Sequence, residues 1–303
     1  MGLAIVNANS EIVPRRPRLL VSGTDPFTGL ALLKMRFASG MRPSDDMEGW
    51  ALSWQLTGDK HFAERAINAM QNAHLPKGSR PTRSWADYVG WSLAFDWIFD
   101  YPGFDGNLRD RIASELMDGA STMLATADFA DPSAFSYHNY ALRYLCLPAF
   151  ALAALAGYTS CQNRCQSFQE KVKNCFTNVL ETTDFATPDG SYHESMDYMR
   201  ITWASLTLLA ELQRTTTGID PARHYSIFRN IGNTYLYKLL PDGSPSREGD
   251  NEYPILDAAT HRSSDMPSIV SRTRLVPGCC AKAVSLSSNG RCRFLNFFGM
   301  TPR

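Results

Sequence analysis

Long hydrophobic runs are absent from this sequence. The longest apolar stretch, residues 147–157 (LPAFALAALAG), is too short to cross a bilayer, which takes about 20 residues. Residues 1–20 also lack the pattern of a secretory signal, because their basic residues follow a very short apolar run instead of preceding a longer one. We therefore predict no membrane-spanning helix, and these features leave the cellular compartment undetermined.

Metal-binding cysteine motifs are also missing. Seven cysteines are scattered along the chain, and Cys161 and Cys165 stand one helical turn apart. Neither a Cys-x-x-Cys pair nor a His-x-x-x-His pair accompanies them, so a zinc site is not indicated. We expect reduced thiols that fill space in the core, with no metal and no cofactor.

A net charge of either sign is absent overall, because 30 Lys and Arg balance 30 Asp and Glu. From residue 262 onwards, however, seven basic residues face the single acid Asp265, so this segment carries +6 and residues 1–261 carry −6. The basic segment lacks interleaved aromatics and any nucleic-acid-binding motif, and we predict no nucleic-acid partner. It also loses helical periodicity. We therefore predict one domain over residues 1–260 and an irregular tail over residues 261–303.

Strand signals are nearly absent between residues 27 and 240, where amphipathic helices follow one another. Gly or Pro stands in nearly every gap between the helical segments. The predicted helices cover residues 46–57, 60–75, 85–100, 108–126, 137–157, 166–182, 192–215 and 224–240. Short gaps favour antiparallel neighbours, so the predicted fold is all-α, an array of helical hairpins that forms either a solenoid or a closed α/α toroid.

The sharpest polar motif is PDGSYHESMDY, residues 188–198. Its Pro-Asp-Gly-Ser turn leads into a predicted helix. The four-residue spacing places Glu194 and Tyr198 on one helix face, and it does the same for His193 and Asp197. Taken alone, such a cluster is also typical of a helix cap beside a half-buried tyrosine.

A second motif is FSYHNYALRY, residues 135–144. Its three tyrosines form a stripe that is more typical of a core than of a ligand site. His138 and Asn139 stand about 100° apart around a helix, so both reach one site only if that site lies at the helix start. Taken alone, this pair is typical of a capping Asn beside a surface His.

Together the two motifs resemble those of heparinase II/III-like polysaccharide lyases. In that family a His-Asn or Asn-His pair opens one helix, and an Asp-Gly-Ser-Tyr/Phe-x-Glu-x-x-x-Tyr run opens a later one. Three further segments are similar to the family: residues 16–20 (RPRLL), residues 94–100 (AFDWIFD), and the loop with residues 240–244 (LPDGS) and 249–250 (GD). The resemblance covers about residues 15–255. It implies an incomplete α/α toroid, and the β-sandwich that follows it in full-length relatives and adds a catalytic His is expected to be missing from these 303 residues.

The resemblance implies β-elimination on a polysaccharide that contains uronic acid. The hydrogen on C5 lies α to a carboxylate, so its removal needs a group that neutralises the carboxylate, a base, and an acid for the leaving O4. The resemblance assigns Asn139 or His138 to neutralisation and Tyr198 to the base, the acid, or both in turn. A free tyrosine has a pKa of about 10, so nearby positive charge or hydrogen-bond donors must favour its phenolate. His193, His138 and Arg143 are the candidates for that task.

The predicted substrate contacts surround these groups. Glu194 is expected to orient its neighbours, and the other predicted substrate-binding residues are Arg143, Tyr192, Trp85 and Asp250. Because residues 1–261 carry a net negative charge, they are expected to repel a heavily sulfated chain such as heparin. A less charged uronan, or an oligosaccharide that contains hexuronate, is the expected partner.

Two other functions fit the same sequence. An α/α toroid can also carry a glycoside hydrolase, which works through two carboxylates placed across a sugar. The candidate carboxylates would then be Asp189, Glu194, Asp197 and Asp250. The third interpretation is a non-catalytic carbohydrate-binding domain, in which Tyr198 would matter only for stability.

Deletion of residues 262–303 is expected to leave the thermal melting temperature nearly unchanged. The tail differs in charge from the rest of the chain and has no helical period, so it should add little buried apolar surface. Differential scanning calorimetry of the full and shortened chains checks this. A steep fall in melting temperature would show that the tail is an integral layer of the core.

Overall fold

The computed structural model describes residues 12, 15–21, 29–75, 81–126, 139–191, 196–238, 241 and 246. These residues form α-helices and one short 3-10 turn, and no strand occurs among them. The all-α prediction is confirmed for this part of the chain. Among the same residues, no helix has the length and apolar character to span a bilayer.

Ten α-helices occur in the described residues. In chain order they are α1 (Leu30–Ala38), α2 (Met47–Thr57), α3 (Lys60–Gln71), α4 (Pro81–Ile98), α5 (Gly106–Thr126), α6 (Asn139–Leu155), α7 (Gln162–Ala186), α8 (Met196–Thr217), α9 (Pro221–His224) and α10 (Ile227–Tyr237). The ends of α2 follow directly from the sequence. The Asp46 side chain accepts a hydrogen bond from the Gly49 N–H at the start, and Gly58 adopts a φ of 72° at the end.

Some helix ends differ from the predicted ones. The α3 helix ends at Gln71 instead of residue 75, because the Asn72 side chain bonds back to the Asn68 carbonyl and closes the last turn. The α4 helix begins at Pro81 instead of residue 85, since the fixed φ of proline suits a first turn. The α7 helix runs on to Ala186, past β-branched residues, where Thr183 is buried and tertiary packing outweighs low helix propensity. The segment predicted as 224–240 forms α10 over Ile227–Tyr237, and the short helix α9 lies just before it.

The helices pack in two rows. In the first row α4 lies between α2 and α6, and α8 packs on the far side of α6. In the second row α3 packs on α2, while α5 and α7 pack on α6. The α6 helix is thus covered on several sides, and its residues 145–155 are all buried. This explains why that helix is apolar around its whole circumference.

Residues 16–20, here called the strap, cross the C-terminal ends of three helices. In α4, the Trp97 indole N–H donates to the backbone carbonyl of residue 19 (3.0 Å). Just past α6, the Arg18 guanidinium donates to the Ala156 carbonyl (2.6 Å). In α8, the Thr215 hydroxyl accepts from the backbone N–H of residue 20 (3.2 Å). Because α4, α6 and α8 all end at the strap, they run parallel, and their N-terminal ends lie at the opposite end of the domain.

Asp96 of α4 holds the strap in place. Its Oδ1 accepts a hydrogen bond from the Arg16 guanidinium (2.8 Å). Its Oδ2 accepts from the backbone N–H groups of Arg18 (2.8 Å) and Leu19 (3.0 Å). The residue is only 1% exposed, and the Arg16 guanidinium also stacks 3.9 Å above the Phe99 ring. The buried Asp96 carboxylate therefore binds both the Arg16 guanidinium and the backbone of the strap.

The two strap arginines keep their charge in spite of their burial. Burial lowers the pKa of Arg16, and the neighbouring Asp96 opposes that shift. Burial and the adjacent Arg16 charge lower the pKa of Arg18 to about 10, again against Asp96. Both guanidinium groups are therefore protonated at neutral pH and need the Asp96 carboxylate as counter-charge.

Asp96→Asn is expected to lower the free energy of unfolding by about 3–5 kcal/mol, because two buried guanidinium groups lose their anion. Urea denaturation followed by circular dichroism measures the loss. Asp118→Asn is the matched control, since Asp118 is 64% exposed and pairs with Arg164 at 3.1 Å on the surface. Such a pair contributes at most about 1 kcal/mol. Equal losses in the two variants would contradict the role given to Asp96.

Candidate functional site

Four of the predicted site residues lie near the N-terminal ends of the three parallel helices. Trp85 is in the second turn of α4, and Asn139 is the first residue of α6. Arg143 follows one turn later in α6, and Tyr198 lies in the first turn of α8. These helices are direct neighbours, and the strap fixes their direction. The fold thus brings these segments of backbone to one end of the domain.

The other predicted site residues lie outside the described residues, namely His138, Tyr192, His193, Glu194 and Asp250. The same holds for the side chains of Trp85, Asn139 and Arg143, whose backbone is described. The side-chain contacts among these residues and Tyr198 therefore stay a prediction.

Tyr198 is a half-buried residue that packs against the hydrophobic core. The next residue, Met199, is fully buried. One turn later Thr202 is buried as well, and its hydroxyl has no hydrogen-bond partner in the part of the chain that the structure describes. A ring held by packing keeps few rotamers, which suits a group that must stand in a fixed position for proton transfer.

The turn that leads into α8 is fixed against α10. The carboxylate of Asp189 accepts a hydrogen bond from the Ser191 N–H (3.0 Å). Gly190 adopts a φ of 81°, and a Cβ there would lie 2.5 Å from a backbone nitrogen of α10, so only glycine fits. From α10, the Asn230 amide donates to the carbonyl of residue 188 (2.6 Å), and the Thr234 hydroxyl donates to the Asp189 carbonyl (2.8 Å). These contacts hold in place the segment that precedes Tyr198.

The electrostatics of Asp189 bear on the hydrolase interpretation. The backbone N–H and the hydroxyl of Ser191 hold the pKa of Asp189 below its usual value. A glycosidase needs one carboxylic acid whose pKa is raised, so that it can protonate the leaving oxygen. Asp189 is ionised at neutral pH and does not suit that role.

The parallel helices α4, α6 and α8 place the negative ends of their dipoles at the strap and the positive ends at the opposite end of the domain. At the strap end the negative C-terminal ends of α4, α6 and α8 meet two arginines, and Arg18 hydrogen-bonds the Ala156 carbonyl just beyond α6. At the other end the dipoles of the three helices place partial positive charge at their N-termini. Each such terminus favours a nearby anion by about 0.3–1 kcal/mol. The end that carries Asn139 and Tyr198 is therefore the one whose dipoles favour a carboxylate.

A groove of about 1070 Å³ lies at the strap end, away from this site. Its lining includes Arg16, Arg18, Gln169 and Gln213. Both arginines already bond to Asp96 or to the carbonyls at the end of α6. An anionic ligand would have to break those bonds, so we assign this groove a structural role despite its size.

A second groove, of about 500 Å³, lies between the turn at residues 188–191 and α10. We call it the α10 groove, and it is lined by Asp189, Ser191, Asn230, Asn233, Thr234, Tyr237 and Lys238. This groove was not predicted from the sequence. The usable signal is the i, i+3, i+4, i+7 spacing of the polar and aromatic residues 230, 233, 234 and 237 on one helix face.

Cys161 and Cys165 are buried free thiols. Burial raises the pKa of Cys165 to about 12 and also raises the pKa of Cys161. A protonated thiol is a poor metal ligand, because metals bind the thiolate. Among the described ranges, no group of three or more His, Cys, Asp or Glu side chains is placed to hold a metal ion.

Comparison with known proteins adds no assignment to this site. No family model matches the chain, and no curated protein is significantly similar to it. The lyase interpretation therefore depends on the motifs and on the helix arrangement around them.

Proposed function

We propose that this chain is a polysaccharide lyase-like domain that cleaves a uronic-acid-containing polysaccharide by β-elimination. The observation that carries the proposal is the parallel packing of α4, α6 and α8 under the strap. That packing brings the starts of two motif-bearing helices, with Asn139 and Tyr198, to one end of the domain. Asn139 and Tyr198 are 59 residues apart in the chain, so no local feature of the sequence requires them to meet.

The two rows of helices support an incomplete α/α toroid. In this proposal α2, α4, α6 and α8 form the inner wall, and α3, α5 and α7 back them from outside. A toroid has parallel inner helices, so their N-terminal ends surround one opening. The substrate would enter at that opening, where the helix dipoles favour its carboxylate.

The chemistry assigned to the site is a proton-coupled elimination. The Tyr198 phenolate takes the proton from C5, the electron pair forms a C4–C5 double bond, and the C4–O4 bond breaks. Tyr198 then returns its proton to the leaving O4, which restores the phenolate on a syn path. Asn139 or His138 holds the carboxylate while charge develops on it. His193 and Arg143 supply the positive charge or hydrogen-bond donation that favours the phenolate.

The substrate class follows from charge. Residues 1–261 carry a net charge of −6, which opposes the approach of a heavily sulfated chain. A uronan with one carboxylate on each acidic sugar can bind if one side chain neutralises the carboxylate at the site, and it does not need an extended basic surface. We therefore propose a less charged uronan or hexuronate oligosaccharide as the substrate.

Tyr198→Phe is expected to lower turnover by about 10²–10⁴-fold, because the only group lost is the hydroxyl that carries the proton. The fold should stay intact, since the ring volume hardly changes. Ultraviolet absorbance of the unsaturated uronate product, measured over a set of uronans, gives the rate.

Tyr225→Phe is the matched control for this test. Tyr225 is also half-buried and packs against the core, but it lies between α9 and α10, away from the start of α8. It should keep full activity. Near-wild-type turnover of Tyr198→Phe would rule this tyrosine out as the proton carrier, and absence of product from every uronan would overturn the proposed function.

Asn139→Ala is expected to lower kcat by about 10²–10³-fold with a smaller change in KM. The amide would stabilise negative charge that develops on the carboxylate in the transition state. The bound substrate carries less of that charge, so removing the amide should affect kcat more than KM. Steady-state kinetics on the best uronan separate the two constants. A loss confined to KM would assign Asn139 to ground-state binding instead.

A further inference from the structure

The α10 helix has two different faces. Ile227, Phe228 and Ile231 are buried in the core. Another face, formed by residues 230, 233, 234 and 237, borders the α10 groove. The groove's volume of about 500 Å³ falls within the range of about 300–1,000 Å³ that is usual for small-ligand sites.

Tyr237 is an aromatic ring left in solvent beside this groove. It is 88% exposed, although tyrosine rings usually cover part of their apolar surface by packing. An exposed ring that borders a polar groove offers a flat apolar platform next to hydrogen-bonding groups. A sugar ring matches such a surface, because its C–H groups form an apolar face and its hydroxyls lie around the rim.

The polar groups of the groove can serve hydroxyl ligands as both donors and acceptors. The Asn233 side chain makes no hydrogen bond to any other described residue, so both its donors and its acceptor are open to a ligand. The Asn230 amide nitrogen is engaged with the carbonyl of residue 188, which fixes the side chain and leaves its oxygen to accept. The hydroxyl of Ser191 and the carboxylate of Asp189 line the opposite wall.

The charges that line the groove indicate which ligands it can bind. Asp189 brings one negative charge and Lys238 one positive charge, and the other lining side chains are neutral. Such a wall has no net attraction for phosphate or sulfate groups. It suits the hydroxyls of a neutral or weakly charged sugar.

We propose that the α10 groove is a saccharide-binding subsite, in which one sugar ring stacks on Tyr237 and its hydroxyls bond to Asn233 and Asp189. As an outer subsite for a polymeric substrate, it rests on the proposed function. Ser191 precedes Tyr198 by seven residues, so the two positions are at most about 25 Å apart. A single polysaccharide chain can therefore span the groove and the candidate catalytic site.

Affinity electrophoresis tests the proposal with full-length protein that carries Tyr198→Phe, so that the substrate is not cleaved. Native gels contain alginate, hyaluronan or a neutral β-glucan, and the retardation at increasing polymer concentration gives the dissociation constant. Adding Tyr237→Ala should weaken binding about tenfold in the gel that retards the parent protein. Tyr237→Phe should retain most of the binding, because it keeps the ring.

Phe185→Ala is the matched control. Phe185 is 89% exposed, as Tyr237 is, but it does not line the groove, so its loss should leave retardation unchanged. Equal weakening by the Tyr237→Ala and Phe185→Ala substitutions would overturn the subsite, because it would indicate general hydrophobic retardation. Unchanged binding in the Tyr237→Ala variant would also overturn it, and so would a parent protein that no gel retards.

The wild-type elimination assay separates this proposal from the proposed function. Retardation that depends on Tyr237, without any unsaturated product from the wild-type protein, would support the subsite and overturn the lyase. Unsaturated product together with Tyr237-independent binding would support the lyase and overturn the subsite.

Discussion

The buried contact between Asp96 and the strap is the constraint on which the rest of the structure depends. The carboxylate receives one guanidinium and two backbone N–H groups from a segment about 80 residues earlier in the chain. Burying one anion with two cations is costly, and the cost is offset because both guanidinium groups also donate to carbonyls at the end of α6 and one of them stacks on Phe99. What the contact provides is geometry: it ties the ends of three helices to one point and so sets their common direction.

The domain therefore has two different ends: one is held by the strap, and the other contains the candidate site with Asn139 and Tyr198. At the strap end, Arg16 and Arg18 donate hydrogen bonds to carbonyls at the end of α6, and their positive charge stabilises the negative end of its helix dipole. At the other end, the helix dipoles place partial positive charge at the N-termini of α4, α6 and α8. A carboxylated substrate is therefore electrostatically suited to the second end, and the larger groove at the first end is not the place to expect its binding.

The turn at residues 188–191 links the two proposed sites. It leads into α8, which carries Tyr198, and it also forms one wall of the α10 groove. Gly190 allows the close approach to α10, while Asn230 and Thr234 donate to the carbonyls of residues 188 and 189 in the first half of the turn. These contacts hold the turn itself in one position against α10.

The sequence by itself determined all the described helices except α1 and α9, the start of α2 at Asp46, and the motif on which Tyr198 lies, because periodicity, capping and turn chemistry act over a few residues. It could not place the ends of α3 and α7, where a side-chain cap and a buried Thr183 decide the outcome. It gave no sign that Arg16 and Arg18 would meet Asp96, nor that Asn139 and Tyr198 would share one end of the domain. Only the tertiary structure decided those points, since burial, helix direction and neighbour choice depend on contacts between residues far apart in the chain.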